Sequence, residues 1–255
     1  MTAPIVEVFS SIQGEGLLVG ERQVFLRLAG CNLCCAYCDT PGAQEIPAFA
    51  RLERTPGRQD FAETPSAMTA TEVADAIRRL VRPQPGLHHS VALTGGEPLL
   101  HAAFLLGLLP RIGALGLGAY LETNGTLAEE LGQVIAHLDV ICADIKLPSA
   151  THQPPLWGAH ELFLLTMDAH EDPTRLDFVK CIVVAESTEE EVDRAARLIA
   201  EINPQLPLIL QPVTPTRADV HALAPVHMLD LQAVAKQHLT QVRVIPQTHR
   251  LGGYL

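Results

Sequence analysis

The fold is indicated first by the stretch "LRLAGCNLCCAYCDTPG", residues 26–42. It continues an apolar run, residues 23–30, whose length and composition are typical of a buried strand. Four of the six cysteines in the chain then follow within eight positions, at Cys31, Cys34, Cys35 and Cys38. The start of the sequence lacks the pattern of a secretory signal, and in a reducing compartment clustered cysteines are more often metal ligands or redox groups than disulfides.

Three groupings of these cysteines compete. Two adjacent Cys-x2-Cys pairs would suit zinc, but a loop normally separates such pairs so that four thiolates can close a tetrahedron. A dithiol redox pair would leave two cysteines unexplained. In the third grouping, Cys31, Cys35 and Cys38 hold three irons of a [4Fe-4S] cluster and leave the fourth iron open to an external ligand. Cys142 and Cys181 lie within apolar runs and are predicted to be buried.

Apolar runs of strand length alternate with segments of helical period along the rest of the chain, which predicts a parallel sheet covered by helices. The predicted strands are residues 23–30, 90–96, 119–125, 139–147, 177–185, 206–214 and 241–248. The predicted helices lie within residues 69–81, 99–116, 127–138, 188–202 and 229–239. We expect a single domain over residues 1–255, with residues 43–68 as a variable surface insertion.

Polar side chains follow the ends of six apolar runs. The segments are "AGCNLCC", "TGGEP", "ETNGT", "ADIKLP", "LQPVTP" and "IPQTHR". In parallel α/β folds the ligand site lies at the carboxyl ends of the strands. These six strand ends, which carry Cys, Glu, Asn, Lys, Gln and His, are therefore expected to line the mouth of one ligand-binding cavity.

Composition excludes several classes of partner. The net charge is −11, which argues against a non-specific nucleic-acid or anionic-membrane surface, because both require clustered Lys and Arg. The longest apolar run is far shorter than the ~20 residues that a membrane helix needs. We expect a cytoplasmic protein that binds neither nucleic acid nor membrane.

The cysteine loop after the first predicted strand and "TGGEP" after the second together resemble the radical S-adenosylmethionine (SAM) superfamily. The resemblance implies a partial, incomplete parallel TIM-like barrel. It also implies a [4Fe-4S] cluster on Cys31, Cys35 and Cys38, with one open iron that binds SAM. The segments "FSSIQGEG", "CDT", "ETNGT", "DIKLP", "QPVTP" and "PQTHR" are similar to the 7-carboxy-7-deazaguanine synthase family, and this similarity covers nearly the whole chain.

The second resemblance implies a carbon–nitrogen lyase of queuosine and deazapurine biosynthesis, which belongs to a tRNA-modification pathway. The reaction converts 6-carboxy-5,6,7,8-tetrahydropterin to 7-carboxy-7-deazaguanine with release of ammonia. A Mg²⁺ ion, an electron donor such as flavodoxin or ferredoxin, and a homodimer are implied as well. Two alternatives remain at this point: an activase of glycyl-radical enzymes, which shares the cysteine spacing, and a non-catalytic zinc or redox protein.

The resemblance assigns the site residue by residue. The SAM-binding residues are expected to be Tyr37, Gly95, Gly96, Glu97, Asn124, Asp144, Lys146, Gln211, Pro212, Val213 and Thr214. The substrate-binding residues are expected to be Ile12, Gln13, Gly14, Glu15, Arg27, Thr94, Gln247 and Leu255. Thr40 is expected to bind Mg²⁺, although by residue type alone it would be a turn residue beside Pro41.

Two residues carry specific expectations. Arg27 is expected to grip the carboxylate of the substrate, because a guanidinium offers two parallel donors. The alternative for Arg27 is a structural ion pair. Cys34 is expected to be a surplus thiol that the cluster does not need.

Overall fold

The computed structural model describes residues 1–215 and 220–255. The strands are β1 (Thr2–Ile12), β2 (Arg22–Leu28), β3 (Phe49–Glu53), β4 (Phe61–Pro65), β5 (Ala67–Thr69), β6 (Ser90–Gly95), β7 (Gly118–Thr123), β8 (Val140–Asp144), β9 (Leu176–Val183), β10 (Leu208–Pro212) and β11 (Val242–Val244). The helices are α1 (Ala70–Val81), α2 (Ala102–Ala114), α3 (Ala128–Val134), α4 (Pro148–Thr151), α5 (Trp157–Ala169), α6 (Glu189–Ile202), α7 (Pro225–Ala235) and α8 (Thr248–Gly252).

The strands of the described residues form one open sheet in the order β11-β10-β9-β8-β7-β6-β2-β1-β3-β4, with β5 paired to β1 off this path. From β2 to β11 every neighbouring pair is parallel. The first strand runs antiparallel to β2 and carries the β3–β4 hairpin on its other side. Because β11 and β4 stand at opposite edges, the barrel is incomplete, and the predicted fold class is confirmed.

All seven predicted strands are present. The last one is shorter than predicted and spans Val242–Val244 only. Pro246 lies two residues beyond its end and has no N–H to continue the ladder.

Helices α1 and α6 each begin with a capping box. Thr69 and Glu72 form a capping box at the start of α1, in which Glu72 N–H donates to Thr69 Oγ1 at 3.3 Å. Thr188 and Glu191 do the same for α6. The helix predicted at residues 229–239 lies about one turn earlier, as α7.

Helix α5 was not predicted. Its apolar side chains occur on both its buried and its exposed surface: Phe163 and Leu164 are buried, whereas Leu162 and Leu165 are exposed. A helix with apolar residues on all sides lacks the one-sided pattern from which helices are recognised.

The predicted insertion, residues 43–68, is more ordered than its composition suggested. It contains the β3–β4 hairpin, which extends the sheet beside β1. The buried carboxylate of Glu53 fastens the hairpin, because it accepts hydrogen bonds from Ser10 N–H and Gln59 N–H, each at 2.8 Å.

The sheet separates two apolar cores. Val24, Leu26 and Leu28 of β2 belong to a large core that includes residues of the covering helices. Phe25, which alternates with them, belongs to a smaller inner core built from strand residues, in which it stacks on Phe9 at 5.1 Å between ring centroids. No helix in the described part of the chain is long and apolar enough to cross a membrane.

Candidate active site

A cavity of about 490 Å³ opens where the parallel strands end. It is lined from all six strand ends that the sequence singled out, since Cys31, Gly96, Asn124, Asp144, Gln211 and Gln247 each reach it. Every predicted site residue lines it except Glu97 and Pro212. Parallel strands bring these distant segments together because their carboxyl ends share one edge of the sheet.

Three of the four clustered cysteines face the cavity. Cys31, Cys35 and Cys38 line it, whereas Cys34 is exposed and does not. All six cysteines are free thiols. Burial raises the pKa of Cys31 and Cys35, and the charges of neighbouring thiolates raise it further. A bound metal reverses this effect because it favours the thiolate form. The arrangement suits a three-cysteine cluster site and not two abutting zinc pairs, because Cys34 is left outside.

The two glycines of "TGGEP" hold the cysteine loop against the sheet. Glu97 N–H donates to Gly30 O at 2.7 Å, and Gly96 N–H donates to Leu28 O at 3.0 Å. A Cβ atom on Gly95 would collide with Leu28 O, and one on Gly96 with Gly30 O. Gly95 also has φ +130°, which side-chain-bearing residues rarely adopt. Only glycine therefore allows the end of β6 to approach the start of the cysteine loop.

Glu97 lies beneath the cavity and does not line its wall. Its carboxylate is fully buried and accepts hydrogen bonds from Asn124 N–H at 2.7 Å, Thr123 Oγ1 at 2.8 Å and Leu99 N–H at 3.0 Å. Burial raises the pKa of Glu97 to about 7, against the lowering effect of these bonds. The side chain of Asn124, held in this way, donates to Asn32 Oδ1 at 2.7 Å beside the cysteine loop. The geometry thus makes Glu97 a support for Asn124.

One wall of the cavity is built around Lys146. Its ammonium donates to Asp144 Oδ2 at 2.6 Å and to the Tyr37 hydroxyl at 3.0 Å. Its backbone N–H donates to His160 Nε2 at 3.0 Å, so that nitrogen must be an acceptor, and the proton of neutral His160 lies on Nδ1, 2.9 Å from Gly125 O. Burial lowers the pKa of His160 to about 4. The turn that carries Lys146 is therefore fixed by a neutral imidazole.

A second part of the cavity wall is built around Glu15. Its carboxylate forms an ion pair with Lys180 and accepts a hydrogen bond from Gln247 Nε2 at 2.7 Å. Burial raises the pKa of Glu15, but Lys180 and these hydrogen bonds outweigh it and lower the value to about 2. Gln247 also donates to Asp39 Oδ2 at 2.9 Å. The sequence did not assign Lys180, although a lone lysine in the apolar run "DFVKCIVVA" was a signal for it.

Gln13 extends this wall deeper into the sheet. Its amide nitrogen donates to Glu122 Oε1 at 2.9 Å and to Gln23 Oε1 at 3.0 Å, and its amide oxygen accepts from Glu15 N–H at 3.0 Å. Burial raises the pKa of Glu122, which also lines the cavity. Glu122 is the first residue of "ETNGT", a segment from which only Asn124 was predicted.

Arg27 forms the structural ion pair that the sequence gave as its alternative role, and it also lines the cavity. Its Nε donates to Glu7 Oε1 at 2.9 Å, and Arg51 lies 3.5 Å from the other oxygen of Glu7. The guanidinium carbon lies 6.0 Å from the centroid of the Phe9 ring, and Arg27 lines the cavity. Within the described part of the chain, Nε is the only side-chain nitrogen of Arg27 with a hydrogen bond. Glu7 therefore orients the guanidinium and leaves its two terminal nitrogens for another acceptor.

The remaining predicted residues complete the rim. The Thr40 hydroxyl donates to Asp39 Oδ1 at 3.0 Å, and both residues line the cavity. Gly14 O accepts from Thr248 N–H at 2.9 Å, and a Cβ on Gly14 would collide with the ring of His249. Several further predicted residues also reach the cavity: Ile12, Thr94, Val213, Thr214 and Leu255.

Comparison with known proteins decides the family. Residues 26–154 match the model of the radical SAM superfamily. The chain is 46% identical to a 7-carboxy-7-deazaguanine synthase of Geobacter sulfurreducens, over 99% of this chain and 98% of that protein. The chain belongs to the 7-carboxy-7-deazaguanine synthase family.

Two further proteins are similar to the chain. A 7-carboxy-7-deazaguanine synthase of Methanothermobacter thermautotrophicus is 36% identical over 99% of this chain and 98% of its own length. The crystal structure of QueE from Escherichia coli superposes with a TM-score of 0.59 at 21% identity and covers 97% of this chain and 94% of that one. At 21% identity, the superposition supports a shared fold and nothing more. Members of this family are radical SAM enzymes, which use a [4Fe-4S] cluster together with SAM.

Proposed function

We propose that the protein converts 6-carboxy-5,6,7,8-tetrahydropterin to 7-carboxy-7-deazaguanine and releases ammonia. One observation carries the proposal. A single cavity is lined by three thiols and by a set of hydrogen-bonding side chains, among them Gln13, Glu15, Arg27 and Gln247. A bicyclic substrate with a carboxylate and several N–H groups requires such a wall, and membership of the synthase family supports the same substrate.

The cluster side of the cavity fits its cofactors. Cys31, Cys35 and Cys38 would bind three irons, and when bound the cluster and SAM supply the hydrogen-abstracting chemistry of the superfamily. Asp144 and Lys146 form a charged pair on the wall beside Tyr37, which suits a ligand that carries both a hydroxylated sugar and an amino acid. The polypeptide around Gly95, Gly96 and Asn124 closes the site, as do Gln211, Pro212, Val213 and Thr214 from the end of β10.

Each polar group on the substrate side of the cavity has a proposed role. The Glu15 carboxylate stays ionised and accepts hydrogen bonds from the amino and ring N–H groups of the pterin. The terminal nitrogens of Arg27 donate to the carboxylate in the two-pronged geometry of a guanidinium. Thr94, Ile12 and Gly14 contact the ring, and Leu255 lines the same cavity.

Mg²⁺ is proposed at Thr40. A hydroxyl and the adjacent Asp39 carboxylate are oxygen donors, and Mg²⁺ prefers oxygen ligands and keeps part of its water shell. Substrate oxygens would complete the shell. Titration with Mg²⁺ in the presence of substrate is expected to raise the rate, and Thr40→Val is expected to weaken that response.

The reaction is tested directly. Anaerobically reconstituted protein, supplied with SAM, Mg²⁺, a reductant and the carboxytetrahydropterin, should yield a product with the mass of 7-carboxy-7-deazaguanine. A protein with an intact, reducible cluster and no product would contradict the proposal. Such a result would favour the alternative of a glycyl-radical activase, whose substrate is a polypeptide. A colourless protein that contains zinc and no iron would instead indicate the non-catalytic alternative.

Proposals about partners follow from the same family. We propose a cytoplasmic homodimer with one domain per chain, in which flavodoxin or ferredoxin delivers the electron. Light scattering would report twice the 27.6 kDa chain mass if the dimer forms. Turnover with reduced flavodoxin in place of a chemical reductant tests the donor.

A further inference from the structure

The distribution of lysines in this chain is unusual. Only three lysines occur among its 18 basic residues, at Lys146, Lys180 and Lys236. Two of them line the cavity, with side chains that are only 11% (Lys146) and 8% (Lys180) exposed. An ammonium is a compact, strongly hydrated charge, and its burial is costly unless carboxylates surround it. The two buried lysines are therefore specific parts of the cavity wall.

Lys180 lies between the two sides of the cavity. Its ammonium contacts the Glu15 carboxylate on the substrate side and lies 3.7 Å from Asp144 Oδ1 on the SAM side. The other oxygen of Asp144 binds Lys146. The result is an alternating row of charges, Glu15–Lys180–Asp144–Lys146, that crosses the cavity floor.

The backbone fixes this position. Lys180 is paired with Asp144 in the register of β8 and β9, and its carbonyl oxygen accepts from Ile145 N–H at 2.9 Å. Both neighbours of Lys180 on β9, Val179 and Cys181, belong to the large core on the helix side, so the lysine side chain is the one directed to the cavity. Lys180 therefore cannot move away from Asp144 without disturbing the sheet.

We propose that Lys180 is a positioning residue that links the substrate site to the SAM site. It holds the Glu15 carboxylate for the pterin and the Asp144 carboxylate for SAM at the same time. When one ligand binds and further restricts its already paired carboxylate, the shared ammonium is further restricted for the other, and each ligand therefore strengthens the binding of the other. The inference rests on the proposed function, because it takes the pterin as the ligand of Glu15.

A purely stabilising role explains the arrangement less well. A buried ion pair usually adds little stability compared with an apolar pair of similar size. Two ammonium groups beside two carboxylates on a cavity floor are better explained by what the cavity must hold. Glu15 also has a second carboxylate nearby, that of Glu122, so the loss of Lys180 leaves uncompensated repulsion on the substrate wall.

The test compares Lys180→Met with Lys180→Arg, and uses Lys236→Met at the exposed lysine as the matched control. Equilibrium dialysis measures the dissociation constant of SAM on the cluster-loaded protein, with and without substrate. Steady-state assays measure KM and kcat. For Lys180→Met we expect the substrate KM and the SAM dissociation constant each to rise at least tenfold, with a smaller change in kcat and unchanged iron content.

The decisive quantity is the change in the SAM dissociation constant that the substrate causes. Substrate should tighten SAM binding severalfold in the unmodified protein and in Lys236→Met, and should have almost no effect in Lys180→Met. Lys180→Arg keeps the charge and should retain part of the effect. In a Glu15→Gln background, Lys180→Met should raise the substrate KM much less than it does alone, because both changes remove the same pair.

Two outcomes overturn the inference. One is a Lys180→Met protein in which substrate tightens SAM binding as it does in the unmodified protein. The other is a loss of iron in both Lys180 variants, which would mark the residue as structural. Failure of the proposed function is distinguishable, because it would appear as absence of product from the unmodified protein. In that case the effect of Lys180→Met on SAM binding alone still decides whether Lys180 holds Asp144.

Discussion

At the scale of single residues, the site depends on side chains that are held by a neighbouring side chain and still have polar atoms left for a ligand. Arg27 shows the principle, because Glu7 engages Nε while the terminal nitrogens carry no hydrogen bond within the described part of the chain. Glu15 is similar: Lys180 and Gln247 hold its carboxylate at the cavity wall and keep it ionised. Such residues are oriented before a ligand arrives, which lowers the entropy cost of binding.

The cysteine grouping gives the first prediction. Cys35→Ala should lose the cluster, because the thiol lines the cavity with Cys31 and Cys38, whereas Cys34→Ala should keep it because Cys34 is exposed. The iron and sulfide content after anaerobic reconstitution measures how much cluster each of the two variants holds. A Cys34→Ala protein without iron, beside a Cys35→Ala protein that retains it, would show that the grouping is wrong.

Arg27 gives the second prediction. Arg27→Lys should raise the substrate KM by ten- to a hundredfold, because lysine lacks the two-pronged donor geometry, while the SAM dissociation constant stays unchanged. Arg243→Lys, at an exposed position of β11, is the control and should leave both constants unchanged. Equal KM values for Arg27→Lys and the unmodified protein would mean that Arg27 acts only as the ion-pair partner of Glu7.

At the scale of elements, the cysteine loop and the end of β6 form one unit. Gly95 and Gly96 let the chain pass against Leu28 and Gly30, so the cluster loop and the loop that supports Asn124 are joined through the backbone. The two motifs therefore occur together for a physical reason as well as a chemical one.

This contact gives the third prediction. Gly96→Ala should destabilise the protein by roughly 2–4 kcal/mol, because the new methyl group collides with Gly30 O and must push the cysteine loop away. Gly113→Ala is the control: Gly113 is an exposed position inside α2 with nothing near its Cβ, and this change should stabilise by about 0.5–1 kcal/mol. Urea unfolding measures both. A Gly96→Ala protein as stable as the control would refute the contact.

At the scale of the whole molecule, the open sheet gathers the site from segments that are far apart in sequence. The first strand and the last helix both reach the cavity, which is why Glu15 and Gln247 bond across 232 positions. Global stability and site geometry are thereby linked, since separation of the segment after β1 from the segment after β11 removes part of the wall. The buried His160 under the Lys146 turn has the same dual role.

His160 gives the fourth prediction, on pH. The pKa of His160 is about 4 in the folded state and near 6.5 in the unfolded state. Between these two pH values the unfolded chain is protonated at His160 and the folded chain is not. Its contribution to stability is complete above pH 6.5 and is lost as the pH falls towards 4, to a total of ~3 kcal/mol at about 1.4 kcal/mol per pKa unit.

The experiment uses urea unfolding followed by the fluorescence of Trp157, the single tryptophan, which begins the helix that carries His160. Between pH 7.5 and 5 the unmodified protein should lose about 2 kcal/mol more than His160→Gln, because glutamine keeps a donor and an acceptor but does not titrate. Identical pH dependence in the two proteins would show that His160 is not the titrating group.

The resemblance to known families predicted most of the residues that line the cavity. The seven parallel strands and the capping box of α1 were predictable from the sequence pattern alone. These features are local, because strand runs, caps and loop motifs depend on residues a few positions apart. For the same reason α5 and the β3–β4 hairpin escaped prediction: the helix has no single apolar face, and the hairpin depends on its contacts with β1.

Which side chains meet depends on the tertiary structure. Lys180 and Glu15 are 165 positions apart, and their contact follows from the sheet order and from the register that sets Lys180 opposite Asp144. The burial of Glu97 beneath Asn124 and the engagement of Arg27 by Glu7 were fixed in the same way. A residue's own sequence neighbourhood carries no information on sheet order or register, because both arise from packing between strands that lie far apart in the chain.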